Sequence, residues 1–198
     1  MTRGAFLVGI GAAIAAAATW WRGRPAAELA VELEDVVGMS PDAQELAAIA
    51  AEPNVQAFLA MIRAGEGTAD PDGYRRLFGG ELISTYADHP RKPVTRISGD
   101  SLISSSAAGA YQILERTWDD VAPGLALPDF SPQSQDIAAV ALIRRRGALA
   151  DVRAGRFEDA VAKCAKEWAS LPGSPYGQPT LTLARARDVY SGAGGVFA

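Results

Sequence analysis

The chain has 198 residues, 48% of them hydrophobic, which is enough for one sizeable core and a small appendage. A formal net charge of -4 gives no global electrostatic reason to bind nucleic acid, so no nucleic-acid partner is expected. The single cysteine, Cys164, excludes an intramolecular disulfide and a thiolate-rich metal site, and nothing calls for a metal or an organic cofactor.

Residues 4 to 21 are uncharged and are bracketed by Arg3 and by Arg22 with Arg24. As a helix, at about 1.5 Å per residue, this run reaches roughly 27 Å, close to the hydrocarbon thickness of a bilayer. Ala and Gly dominate it, with Phe6, Leu7, Val8, Ile10 and Ile14 as large apolar members before Trp20 and Trp21, which suit an aromatic belt. The segment 1–24 is therefore expected to be a signal-anchor or a cleaved signal peptide, with a buried soluble helix as a third reading. The first reading places the inner membrane among the partners through residues 4–21, and the chain at that membrane or in the periplasm.

Residues 25–53 turn acidic and Ala-rich, and Ser40 with Pro41 supplies the start signal of a short helix through Ile49. This stretch is expected to be a helical linker. The rest, 54–198, forms the expected catalytic domain, a monomer. Val55, Phe58, Leu59 and Ile62 mark one face of a helix after an Asn54 N-cap, and Glu66 lies four residues beyond Ile62 on that face. Between Glu81 and Ser106, strand-favouring residues broken by His89, Pro90, Pro93 and Gly99 suggest a small irregular sheet. Tyr111, Leu114, Trp118 and Val121 mark a second helix, Ser131 with Pro132 starts a third that stops at Gly147, and Val161, Cys164, Ala165 and Trp168 mark a fourth. A last helix is expected from about Thr180 to Tyr190. The fold class is α+β, mainly α.

The chemistry centres on Ala64-Gly65-Glu66-Gly67-Thr68. A carboxyl on an apolar helix face, at the helix's C-terminal end, is disfavoured as an anion by desolvation and by the negative end of the helix dipole. Such a glutamate keeps its proton, as a general acid at a glycosidic oxygen must. The flanking glycines would let a polymer approach closely. Taken alone, the motif also fits a solvated helix terminus.

Further blocks follow in order: Gly79-Gly80-Glu81-Leu82, the stretch Tyr86 to Lys92, Ser106-Ala107-Ala108-Gly109-Ala110-Tyr111-Gln112-Ile113, Asp129 to Asp136, Arg146-Gly147-Ala148-Leu149, and Trp168 to Gly173 followed by Tyr176-Gly177-Gln178. Together with Glu66-Gly67-Thr68 they resemble the phage lambda-type endolysin family over about residues 54 to 190. The resemblance implies a lysozyme-like fold, cleavage of the MurNAc-GlcNAc bond of peptidoglycan glycan strands, and a lytic transglycosylase outcome that leaves 1,6-anhydro-MurNAc. It implies Glu66 as the catalytic residue, with Tyr111 and Gln112 lining the saccharide cleft. Thr68 and His89 are further candidates for substrate binding, and His89 fits a turn-stabilising role equally well. Two departures stand out: the fifty or so residues ahead of the family's usual start, and Ala64-Gly65 where a bulkier pair often precedes the glutamate.

The competing enzyme reading is a hydrolytic lysozyme, with Glu81, Asp88 or Asp100 as second carboxylate. A non-catalytic peptidoglycan-binding module is the alternative from another class, and the intact Glu66 counts against it. Cys164, Trp118 and Trp168 fall on apolar stripes and read as core, and Arg144, Arg145 and Arg146 as a solvated, dipole-complementing helix end.

Overall fold

The computed structural model describes residues 38–98 and 101–198, so the expected segment at residues 4–21 lies outside the described residues. Seven α-helices and one two-stranded sheet follow in chain order among the described residues. Helices α1 (Pro41–Ala50) and α2 (Pro53–Gly65) come first, and the antiparallel hairpin β1 (Val94–Ser98) and β2 (Ser101–Ser105) follows a long loop. Helices α3 (Glu115–Leu125), α4 (Pro132–Arg145), α5 (Leu149–Ala154), α6 (Phe157–Cys164) and α7 (Leu183–Gly192) complete the fold.

Helix α4 organises the core. Its residues from Ser134 to Ile143 are all buried, and from Ile137 to Ile143 they are apolar all round, as in a central helix. Ser131 caps it by accepting from the Ser134 N–H, and Pro132 takes the first turn, where no N–H is needed. Helices α1, α2, α3 and α5 pack on it, while α7 packs on α2. Helix α1 starts as expected, with Ser40 accepting from the Ala43 N–H. It does not act as a spacer, however: Ala43, Leu46, Ile49 and Ala50 are buried in the same core as the rest. An apolar stripe of that kind has to be covered, and α4 covers it.

Several sequence expectations shift. Asn54 lies inside α2 because Pro53 occupies its first turn; its side chain instead donates to the Arg153 carbonyl and accepts from the Val196 N–H. Tyr111 is not helical. Positive φ values at Gly109 and Gln112 turn the chain, Ala108 bridges to Ile113, and α3 starts only at Glu115. Helix α5 was not foreseen, its six residues being too few for a periodic pattern. The fourth expected helix stops at Cys164, so Trp168 lies beyond it, although its ring is buried as foreseen. Cys164 is also buried, and that burial pushes its thiol up to about 12.

Because Leu46 is fully buried between α1 and the helices it covers, Leu46→Ala should lower unfolding free energy by about 2 to 5 kcal/mol. Urea unfolding of the full chain measures this, and a loose spacer would give almost no change.

Candidate active site

Helix α2 ends in a way that presents Glu66. Glu66 is its C-cap, still in right-handed helical conformation, and Gly67 follows with φ +70°. The Thr68 N–H donates to the Arg63 carbonyl at 2.9 Å, and the Gly67 N–H to the Ala64 carbonyl at 3.4 Å. This pair of bonds is a Schellman termination, whose left-handed position favours glycine. The glycines therefore have roles other than giving a polymer access. A Cβ at Gly67 would meet nothing within 4 Å, so the backbone conformation requires glycine there. A Cβ at Gly65 would lie 2.7 Å from Ser170 Oγ, so Gly65 makes room for the protein's own serine.

Ser170, itself buried, donates to Glu66 Oε1 at 2.6 Å. Burial raises the pKa of the Glu66 carboxyl above its ordinary value, while the Ser170 hydrogen bond pulls it down by less. The net direction favours the protonated acid. The residue is half-buried, so it is desolvated yet keeps an open side.

The expected binding residues are placed differently. Thr68 is fully buried, and its hydroxyl faces two main-chain carbonyls, Ala110 at 2.5 Å and Arg63 at 3.2 Å. Tyr111 is also buried, with its hydroxyl donating to Asp136 Oδ1 at 2.5 Å. His89 is buried too: its Nδ1 accepts from the Arg91 N–H, so Nε2 carries the hydrogen and donates to the Ile113 carbonyl at 2.9 Å. Burial lowers the pKa of this imidazole, which favours its neutral form. In these three side chains the polar atoms are taken up by the protein's own main chain and by Asp136. Gln112 alone of the four is half-buried, and its Nε2 holds a turn through the Arg76 and Gly109 carbonyls.

The candidate second carboxylates are committed elsewhere or lie outside the described residues. Exposed Glu81 pairs with Lys92 at 2.7 Å, which lowers its pKa. Burial pushes the Asp88 carboxyl up, but hydrogen bonds from the His89 N–H, Arg91 and Trp118 outweigh it and hold the pKa low. Asp100 is not among the described residues.

Sequence reading missed Ser170 and the buried pair Gln135 and Asp136. Asp136 accepts from the hydroxyls of both Tyr74, at 2.8 Å, and Tyr111, and burial raises its carboxyl to about 6. Polar residues at the start of an otherwise apolar helix were the available signal. Two surface depressions, about 360 and 310 Å³, lie beside β2 and α3, and Glu66 lines neither of them.

A mainly helical body with a small hairpin and one desolvated glutamic acid at a helix end defines a lysozyme-like enzyme. The lysozyme of bacteriophage lambda, solved in complex with a chitohexasaccharide, superposes with a TM-score of 0.68 at 38% identity, covering 74% of this chain and 97% of that one. A second structure of lambda lysozyme gives a TM-score of 0.64. Residues 56–197 match the family described as Endolysin. The endolysin of Escherichia phage P2 is 43% identical over 156 residues, covering 72% of this chain and 94% of the relative, and that of Escherichia phage lambda is 44% identical over 129 residues, covering 62% and 80%. The chain belongs to the endolysin family, whose members are bacteriolytic, peptidoglycan-degrading proteins.

Removing the Ser170 hydroxyl takes away the influence that lowers the Glu66 pKa and leaves burial in place. In Ser170→Ala the Glu66 titration midpoint, followed by carbon NMR of the labelled carboxyl, should therefore move to higher pH. The linked stability has the same sign. It is fully present below the unfolded-state value and is lost as pH rises through the raised folded value, so in the variant that loss also moves to higher pH. An unmoved midpoint would remove Ser170 from the electrostatics of the site.

Proposed function

We propose that this endolysin cleaves the MurNAc-GlcNAc bond of peptidoglycan without water, with Glu66 as both general acid and general base. The carrying observation is the isolation of Glu66: its pKa is set by burial and one serine, while the described candidate partners Glu81 and Asp88 are tied to cations. The chitohexasaccharide bound by lambda lysozyme supports a glycan strand as the ligand here.

Ser170 engages Oε1, which leaves Oε2 to carry the acid proton. Glu66 passes that proton to the leaving GlcNAc oxygen as the bond to the MurNAc anomeric carbon breaks, and an oxocarbenium-like centre develops. The resulting carboxylate takes the proton of the C6 hydroxyl of the same MurNAc. That oxygen attacks the anomeric carbon and closes the 1,6-anhydro ring, and Glu66 is protonated again. Desolvation favours the protonated form at the start, and the cycle restores it at the end.

Access to the wall is read from sequence alone. The apolar run at residues 4–21, flanked by arginines, supports export and an inner-membrane tether. Among the described residues, no helix is long and apolar enough to cross a membrane.

Glu66→Gln should be folded and at least roughly 100-fold slower in clearing outer-membrane-permeabilised Gram-negative cells, because the amide keeps the shape but has no transferable acid proton. Activity within about tenfold of the parent would remove Glu66 from the mechanism. Mass spectra of the released muropeptides should be dominated by 1,6-anhydro-MurNAc ends, lighter by one water than lysozyme products. Dominant reducing-end MurNAc would establish the hydrolytic reading instead.

A further inference from the structure

Two consecutive side chains of α4 lie buried among polar groups that the proposed mechanism does not use. Gln135 is fully buried; its Oε1 accepts from the Ala110 N–H at 2.8 Å, and its Nε2 donates to the carbonyls of Tyr74, at 3.0 Å, and Phe130, at 2.7 Å. Asp136 beside it receives the hydroxyls of Tyr74 and Tyr111 on one oxygen, Oδ1. The loop carrying Tyr74 and the turn Gly109 to Gln112 are thus each held twice, once by the main chain and once by a side chain. The approach is close enough that a Cβ on Gly109 would collide with Gln135 Oε1.

From that turn the bonds lead to both sides of the acid. The Ala110 carbonyl accepts the hydroxyl of Thr68, two residues after Glu66, at 2.5 Å. The Tyr111 carbonyl accepts the indole N–H of Trp168, two residues before Ser170, at 3.1 Å. A third contact returns to α2, where the Arg63 guanidinium lies 5.0 Å from the Tyr74 ring centroid, one helical turn before Glu66. Among the described residues, Asp136 has no salt bridge to a cation. A buried carboxyl without one is costly, and a neutral residue of the same shape would serve stability better.

We infer that Gln135 and Asp136 are positioning residues that fix the Glu66–Ser170 pair through the Ala110–Tyr111 turn. The inference rests on Glu66 being the general acid. It also accounts for the burial of Thr68 and Tyr111, which connect α4 to the two strands of chain that meet at the acid. The Asp136 oxygen binds two hydroxyls more tightly than an amide oxygen can, since charge-assisted bonds are shorter and stronger. Precision is therefore gained where stability is given up.

The test compares the full chain with its Asp136→Asn and Tyr111→Phe variants on purified glycan strands, well below the unfolding temperature. Asp136→Asn weakens both hydroxyl bonds at this oxygen and Tyr111→Phe removes one of them, neither opening a large cavity. The expectation is a kcat lower by roughly 10- to 100-fold, the cost of a misplacement of up to about 1 Å, with KM within about twofold. Asp136→Asn should at the same time unfold at equal or higher urea concentration at pH 7, since the carboxyl's stability contribution, present below its unfolded value, is lost as pH rises through about 6. Parental kcat in both variants, or a loss that vanishes once corrected for the folded fraction, would overturn the inference. If Asp136→Asn does not fold, Tyr111→Phe decides on the same kcat criterion. Glu66→Gln is assayed alongside. If it retains activity, the acid assignment falls and the inference with it; if it is inactive while the Asp136 and Tyr111 variants keep parental kcat, only the inference falls.

Discussion

The pKa of a carboxyl group rises where water is withheld from it and no cation is offered in exchange. Glu66 meets that condition through the way one helix stops. The Schellman bonds at the end of α2 fix its last turn, Gly67 reverses the chain, and the acid is left against the negative pole of its own helix. Ser170, 104 residues further along, closes one side and is admitted because Gly65 has no side chain. Much of the interior can be read as what is needed to bring those two distant points together and hold them there.

Helix α4 divides that task along its length. From Ile137 to Ile143 it is apolar and buried, and it supplies the surface on which neighbouring helices lose water. Ser134, Gln135 and Asp136, equally buried, supply hydrogen bonds of fixed direction. Apolar packing tolerates rearrangement, whereas a buried polar group tolerates only the partners it was built for. The surface ion pairs contribute less. In the pair of Arg153 with Glu52 the arginine is exposed and the glutamate half-buried, and surface pairs of this kind contribute about 0 to 1 kcal/mol each.

Local signals carried most of the fold. The Ser40-Pro41 and Ser131-Pro132 starts and the apolar face of α2 are patterns within a few residues in sequence, and there patterning is informative. The end of α2 at Gly65 and Glu66 was legible for the same reason. The surroundings of the acid were not. Thr68, Tyr111 and His89 carry side chains that could face a sugar, and only pairings across 24 to 42 positions place them inside instead. Ser170 lay beyond local reading altogether, although a glycine ahead of the glutamate hinted that something approaches it. Helix α5 escaped because its six residues, fewer than two turns, give no period to detect.

Helix α1 also decides how mechanical load would enter the protein. The Ser40 N–H donates to the Leu125 carbonyl, Arg144 grips Asp42 with two bonds of 2.6 Å, and Leu46 is sealed in the core within two turns of the helix start. Tension applied at Met39 would act at once on the contact between α1 and α4. Between Ser40 and the packed face of α1 there is thus no slack: a pull on Ser40 reaches the core through the hydrogen bond to Leu125, the Arg144 pair and Leu46.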